Sequence, residues 1–181
     1  EPLKQVIKQG ARCLDFEIYS VDGNCVVAAG KNASFDVKGT FNSLPITKVF
    51  QTVHQYACKG SATCPNPSDP LFLNLRIKSK RSEIYNQIAD ALKSNFPNLL
   101  SKNDKKYAFE AHGENIGQCP LGSFIGQVIV IVDNKDNKYK KTRLEELINF
   151  TSSTPFFRQL RNYEVVYTHD MEGLIDYNKK N

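Results

Sequence analysis

The sequence has no tryptophan, one methionine and three histidines, and its five cysteines are an odd number. An odd count does not suit a closed disulfide framework, and no two cysteines have the C-x-x-C spacing of zinc ligands. Cys58 and Cys64 are near enough to close a small loop, yet free thiols are the better expectation. We therefore expect a reducing compartment rather than secretion, and we give little weight to formal glycosylation triplets at Asn32 and Asn149.

Several common functional motifs are also missing. Neither G-x-G-x-x-G nor G-x-x-x-x-G-K-[ST] follows a predicted strand, and no serine has a G-x-S-x-G context. The apolar run at residues 128–132 has the length of a strand and falls far short of the roughly 18 residues of a membrane span. The opening residues carry mixed charge and do not predict a signal peptide. The sequence thus offers no support for a nucleotide-binding fold, a serine hydrolase or a transmembrane segment.

The chain carries a net charge of +5, from 24 Lys or Arg and 19 Asp or Glu residues. Its lysines are scattered, apart from Lys138, Lys140 and Lys141, and aromatic residues do not interleave with them as a nucleic-acid platform requires. A solvated surface accounts for this excess, which is also compatible with weak attraction to anionic phospholipid. We expect no nucleic-acid partner.

Predicted strands and helices alternate along the chain. Apolar stretches predict strands at 12–19, 25–29, 71–77, 124–132 and 163–168. Helical spacing predicts an opening helix that ends at Gly10, a helix with Pro45 in its first turn, and a third that ends before Pro97. The apolar stripes of the latter two are Ile46, Val49, Phe50, Val53 and Ala57, and then Ile84, Ile88 and Leu92. The later helical signals are a capping box at Thr142 and Glu145, a turn at Thr154, and a helix from Asp170 through Tyr177.

This alternation predicts an α/β fold with a parallel sheet and outer helices, in a single domain over residues 1–181. The number of strands leaves an open doubly wound sheet and part of a barrel as alternatives. An unclosed sheet exposes unpaired edges. We therefore expect residues outside this chain, a protein partner or an oligomer to cover them.

Residues 10–17, GARCLDFE, are similar to the motif G-C-R-C-L-E-L-D, and residues 70–78, PLFLNLRIK, to P-V-I-L-S-L-E-N-H. Residues 25–30, CVVAAG, stand where the same pattern has an apolar strand ending in His-Gly. In these motifs and their order, residues 3–132 resemble the X region of phosphoinositide-specific phospholipase C. The resemblance implies a partial TIM-like (β/α) barrel with parallel strands, lacking the first strand of the family. Such lysine- and asparagine-rich relatives are also similar to proteins of large DNA viruses, which adds a virion to the expected locations.

The resemblance also implies a chemistry. Members of this family cleave the phosphodiester of a phosphoinositide by attack of the inositol 2-hydroxyl on phosphorus. One histidine acts as general acid or base, and a second stabilises the charged transition state. Calcium, held by carboxylates and an asparagine, offsets the developing charge, and an arginine does so in the bacterial type. These groups lie at the carboxyl ends of the barrel strands.

This sequence departs from that pattern at most of these points. The histidine of the His-Gly pair falls on Ala29, which can neither transfer a proton nor donate a hydrogen bond. The first catalytic histidine and its neighbouring asparagine belong to the strand that has no counterpart here. Two carboxylates survive as Asp15 and Glu17, on one side of their strand. The third falls on Arg76, a permanent cation.

We therefore predict that Arg76 forms an ion pair with Asp15 and Glu17 at a former metal site, in place of calcium. Lys78, where the family often has histidine, is a candidate for binding an anion, although a solvated strand end is the simpler interpretation. No cofactor is expected, and calcium would be bound by Asp15 and Glu17 only if the site is still catalytic.

The three histidines offer little further support for catalysis. His54 lies at the edge of an amphipathic helix, away from the expected mouth of the barrel. His112 precedes a predicted strand, in a loop expected at the opposite end. His169 directly follows the strand at 163–168 and pairs in sequence with Asp170, so it is a weak catalytic candidate; an exposed histidine beside a helix cap is the simpler interpretation.

Two functions remain open at this point. One is a degenerate, catalytically impaired phospholipase C-like domain that serves as a structural or binding module in a larger assembly. The other is an active hydrolase of phosphoinositide-type phospholipids whose missing groups come from outside the sequence. The loss of histidine at Ala29 and the charge reversal at Arg76 favour the first.

Overall fold

The fold is known from a computed structural model, which describes residues 2–29, 42–59, 64–100, 120–132 and 138–151. Within them, six strands form one sheet in the order β3-β2-β1-β4-β5-β6. The strands are β1 (Cys13–Val21), β2 (Asn24–Val27), β3 (Leu44–Pro45), β4 (Leu71–Ile77), β5 (Val128–Val132) and β6 (Phe150–Thr151). The strand predicted at 163–168, the helical signals at 154 and 170–177, His112 and His169 lie outside the described residues.

In the described part of the chain, three α-helices accompany the sheet: α1 (Pro2–Lys8), α2 (Ile46–Val53) and α3 (Ser82–Asn95). A π-helical turn, His54–Cys58, extends α2, and two 3₁₀ turns follow later, Leu121–Phe124 and Glu145–Leu147. The opening helix gives way at Gly10, whose φ of +92° is the left-handed conformation that favours glycine. No helix of the described part is long and apolar enough to cross a membrane.

The sheet is mixed, so the prediction of an all-parallel sheet was wrong. β1 pairs in parallel with β4, β4 with β5 and β5 with β6, but β2 is antiparallel to both β1 and β3. The cause is local, because only Asp22 and Gly23 connect β1 to β2. Their φ values of 49° and 78° are those of a two-residue hairpin turn, and a connection this short can join only antiparallel strands. The α/β class with parallel pairs is confirmed.

The core lies on one face of the sheet. Leu14, Phe16 and Ile18 of β1 point into it, as do alternate residues of β4 and β5, and the predicted apolar stripes of α2 and α3 cover them. Every residue of those two stripes is buried. The run of β5 is buried on both faces, as a central parallel strand requires, because Ile129 and Ile131 on the other face are also inaccessible.

Several predicted boundaries differ from the structure. The strand expected at 124–132 begins only at Val128, because residues 121–124 form a 3₁₀ turn. Pro45, predicted in the first turn of α2, occupies the N-cap position just before it. The capping box does not start an α-helix either. The carboxylate of Glu145 accepts a hydrogen bond from the backbone of Lys141, and Thr142 donates its hydroxyl to the carbonyl of Tyr139, which ties this segment into tight turns.

Two polar side chains hold the ends of the strands. Arg12 donates to the carbonyls of Ala57, Asp69 and Pro70, which fixes the start of β1 against the end of the α2 extension and the loop before β4. Asn149, 1% exposed, donates to the carbonyl of Leu100 and accepts from the amide of Val130. Because its amide is buried and used in this way, the folded chain cannot carry a glycan at Asn149.

Candidate functional site

The candidate site lies on the sheet face opposite the helices, where β1 and β4 present polar side chains. Asp15 is directly opposite Asn74 in the parallel register, and Glu17 is opposite Arg76. Residues two apart on a strand share a face. The pairing of the two strands therefore places two carboxylates, one amide and one guanidinium next to one another.

All three nitrogens of the Arg76 guanidinium are engaged. Nη2 lies 2.7 Å from Oδ2 of Asp15, and Nε donates to Oδ1 of the same carboxylate at 3.0 Å. Nη1 lies 3.1 Å from Oε1 of Glu17. The contact with Asp15 is therefore bidentate, the geometry in which an arginine–carboxylate pair is strongest. The ion pair that the sequence predicted is present.

Two further side chains hold the carboxylates in place. Asn74, 7% exposed, donates through Nδ2 to Oδ1 of Asp15 at 3.0 Å. The hydroxyl of Tyr19, whose side chain is fully buried, lies 3.0 Å from Oε2 of Glu17 and donates to it. The sequence analysis selected neither Tyr19 nor Asn74. Tyr19 shares a face of β1 with Glu17, two residues away, and Asn74 shares a face of β4 with Arg76, also two residues away. Alternation gives their direction, but only the register shows what they contact.

The charges of the cluster favour the arginine side chain, rather than a bound metal ion, as the cation beside the two carboxylates. Asp15 and Arg76 are about two-fifths exposed, at 38% and 41%, and Glu17 is 22% exposed, so solvent screens the pairs only in part. A metal ion would have to displace the guanidinium from the oxygens that it contacts. Within the described ranges, no group of three or more His, Cys, Asp and Glu side chains could hold a metal ion.

The other predicted positions border this cluster. The amide of Ala28 donates to the carbonyl of Glu17 at 3.2 Å. Ala29, the next residue, therefore lies close to the cluster, and its side chain is exposed. Its methyl group has no acid–base function. The amide of Lys78 donates to the carbonyl of Ile18 at 2.7 Å, which continues the β1–β4 ladder one residue beyond Ile77. Lys78 is therefore held at the carboxyl end of β4, on the strand that carries Arg76.

His54 is not part of the site, as expected. It starts the π-helical turn. Its ring packs edge-on against the ring of Phe96, with the two centroids 6.0 Å apart. Its buried Nδ1 has no hydrogen-bond partner among the described residues. Desolvation, and to a lesser degree the charge of Lys59, lowers the pKa of this histidine. It is therefore better explained as a packed neutral side chain than as an acid–base group.

None of the four cysteines among the described residues forms a disulfide. Cys13 is exposed at the start of β1, and Cys58, Cys64 and Cys25 are partly or fully buried. Burial raises the pKa of the Cys25 thiol to about 12, so this group stays protonated and unreactive in the folded protein.

Removal of the Tyr19 hydroxyl tests whether the carboxylates are held from within. We expect Tyr19→Phe to lower the free energy of unfolding by about 1–2 kcal/mol, because a buried hydrogen bond to a charged group is lost. Urea unfolding of the two proteins measures the difference. The matched control is Tyr56→Phe, at a partly exposed tyrosine on the π-helical turn, which should change the free energy by less than about 0.5 kcal/mol. Equal effects of the two substitutions would contradict this role of Tyr19.

No protein-family model matches the chain, and no curated protein matches it.

Proposed function

We propose that this chain is a phospholipase C-like domain whose metal site has been replaced by an internal ion pair, and that it serves as a non-catalytic binding or structural module. The observation that carries the proposal is the engagement of the Arg76 guanidinium with both Asp15 and Glu17. In the resemblance described above, these three positions correspond to the three strand carboxylates that would bind calcium. The cation needed to balance Asp15 and Glu17 is now part of the chain.

The neighbourhood of Ala29 supports the same conclusion. The β1–β2 hairpin brings this position next to the carboxylate cluster. A histidine there would have reached the reacting phosphodiester, whereas alanine has no proton to transfer. In this proposal the site has lost two neighbouring functions: metal binding, where Arg76 now lies, and proton transfer, at Ala29.

A barrel is the proposed completion of the sheet. Three successive parallel pairs run from β1 to β6, helices cover one face, and the polar cluster lies on the other, where a barrel has its interior and mouth. The β2–β3 hairpin then lies at one edge of the barrel wall. We propose that residues beyond the described ones, a partner protein or a second copy pair with the open edges.

The alternative is a metal-free phosphodiesterase acting on phosphoinositide-type lipids, in which Arg76 performs the charge-stabilising role of calcium. One observation favours it: the Arg76 side chain is 41% exposed, so it is accessible to a substrate phosphate. Against it, the guanidinium already contacts two carboxylates, which leave a net negative charge on the cluster and repel a phosphate.

A lipid-cleavage assay separates the two functions. The full-length protein is incubated with phosphatidylinositol vesicles in calcium and, separately, in chelator, and released inositol phosphate is measured. We expect no release above the blank in either condition, because Ala29 has no proton to transfer and Arg76 contacts the carboxylates that would bind calcium. A calcium-dependent phospholipase C run in parallel shows that the vesicles are good substrates, and a cooperative thermal transition shows that the sample is folded.

Each positive result would contradict the proposal in a distinct way. Release only with calcium would make Asp15 and Glu17 metal ligands, and Asp15→Ala should then abolish it. Release in chelator as well would establish the metal-free enzyme, and Arg76→Met should then abolish it.

A further inference from the structure

The fold brings together two basic segments that are far apart in sequence. Residues 78–83 comprise the connection from β4 to α3 and the first two residues of that helix, and residues 138–145 come after β5 in the chain. Because β4 and β5 are parallel, both segments leave the sheet at the same end, the carboxyl end of the strands. Ligands of α/β sheets commonly bind at this end.

Specific contacts hold the second segment against the beginning of α3. The amide of Arg143 donates to Oδ1 of Asn86 at 2.9 Å, and its guanidinium contacts Oδ2 of Asp90 at 2.6 Å. Asn86 lies five residues after Arg81, and Lys141 lies two residues before Arg143. The second segment therefore lies along α3 between Asn86, in its second turn, and Asp90, near its middle, while the first segment leads into the start of the same helix. We refer to residues 78–83 and 138–145 together as the basic rim.

The basic rim contains the whole net charge of the protein. Seven of the 24 Lys and Arg residues lie in it, but only two of the 19 Asp and Glu residues, so the rest of the chain has equal numbers of both signs. Its cations are Lys78, Lys80, Arg81, Lys138, Lys140, Lys141 and Arg143. The side chains of Arg81, Lys140 and Lys141 are exposed. The fold thus groups cations that are distant in sequence, in residues 78–81 and 138–143, beside one helix.

The backbone of the basic rim is well defined. Ser79, 3% exposed, accepts the amide of Arg81 with its hydroxyl, and its carbonyl accepts the hydroxyl of buried Tyr85. On the other segment, the carboxylate of Glu145 accepts the amide of Lys141. Because these contacts already order the backbone of the basic rim, binding of a partner costs less conformational entropy.

We propose that the basic rim binds the surface of a membrane rich in acidic phospholipids, through charge and without selectivity for one headgroup. The inference names the partner of the binding module proposed above and rests on it. Lysine-rich loops at one end of a fold suit a diffuse negative surface. Nucleic acid is a poorer fit, because Tyr85 and Tyr139, the described aromatic residues closest to the cations in sequence, are both 5% exposed and offer no ring for stacking.

Vesicle co-sedimentation of the full chain tests the proposal. We expect binding to phosphatidylcholine vesicles that contain phosphatidylserine, none to phosphatidylcholine alone, and weaker binding as salt is raised. Phosphatidylinositol at the same mole fraction should support the same affinity as phosphatidylserine. All samples contain chelator, so binding is measured apart from any calcium-dependent cleavage.

Two matched triple variants locate the surface. Replacing Arg81, Lys140 and Lys141 with alanine should weaken vesicle binding roughly 100-fold, since each cation near an acidic surface contributes on the order of fivefold. The control replaces Lys4, Lys8 and Lys59, three cations on α1 and after the α2 extension, near the start of β1, and should bind nearly as well as the unmodified chain. Unchanged thermal transitions show that both variants fold.

Several outcomes would overturn the inference: no binding to acidic vesicles at low salt, equal losses in both variants, or binding to duplex DNA but not to vesicles. A tenfold or greater preference for phosphatidylinositol over phosphatidylserine would also overturn it, because it would require a stereospecific headgroup site. None of these outcomes depends on whether lipid is cleaved, so failure of this inference leaves the non-catalytic proposal to its own assay.

Discussion

Substituting Arg76→Glu is expected to create a calcium site where the protein now has an ion pair. The change removes the guanidinium that contacts Asp15 and Glu17 and adds a third carboxylate beside them. Calcium prefers several carboxylate oxygens, and weak protein sites of this kind have dissociation constants of about 10⁻⁴–10⁻³ M. Without calcium, three neighbouring carboxylates repel one another and lower the free energy of unfolding. Calcium should restore it, because a ligand that binds only the folded state stabilises that state.

Isothermal titration calorimetry and thermal denaturation, each with calcium and with magnesium, measure this outcome. The control Arg76→Gln removes the cation without supplying a carboxylate, and should bind calcium at least tenfold more weakly than Arg76→Glu. The unmodified protein should show no calcium-dependent shift in its melting temperature. Calcium binding by the unmodified chain as tight as that of Arg76→Glu would show that Arg76 does not replace the metal.

Phe50→Ala is expected to have the largest effect on stability of any single substitution considered. The Phe50 ring is fully buried between Phe16 of β1, with ring centroids 6.3 Å apart, and Phe96, at 5.5 Å. Removing it opens a cavity between α2 and the strand that carries Asp15 and Glu17. Such large-to-small changes cost about 3–5 kcal/mol. Urea or thermal unfolding should show a loss of this size.

Two controls make the result specific to core packing. Phe50→Leu refills most of the volume and should be much less harmful than Phe50→Ala. Leu44→Ala removes an apolar side chain that is 51% exposed on β3, and should change the free energy of unfolding by no more than about 0.5 kcal/mol. Comparable losses at Phe50 and Leu44 would contradict the assignment of the core to the helical face of the sheet.

The elements that the sequence predicted best are those with the most regular burial. The strand predicted at 71–77 has those bounds in the structure, and the stripes of α2 and α3 are buried throughout. Each of these elements packs one apolar face against the core, so the spacing of its apolar residues predicts both its type and its buried face. The prediction was weaker where residues 121–127 precede β5, because their apolar content does not show that the chain turns before it extends.

The pairing of β1 with β2 was available in the sequence but was not used. Asp22-Gly23 between two short apolar runs is a hairpin signal. The alternation of strands and helices predicts a parallel sheet, whereas this turn predicts an antiparallel pair, because two residues cannot form a parallel crossover. Where the local turn and the fold-class pattern disagreed, the turn was decisive, because chain connectivity limits which strands can pair.

The sequence by itself determined the α/β class, the helical stripes, and the location of two carboxylates on one side of β1. It also determined that a permanent cation stands at position 76, since the residue identity alone shows this. Only the tertiary structure decided the register that places Arg76 opposite Glu17, the support from Asn74 and Tyr19, and the convergence of two basic segments at one end of the sheet. The physical reason is that periodicity fixes the direction of a side chain relative to its own element, whereas contacts between elements depend on strand pairing and helix docking, which act between residues distant in sequence.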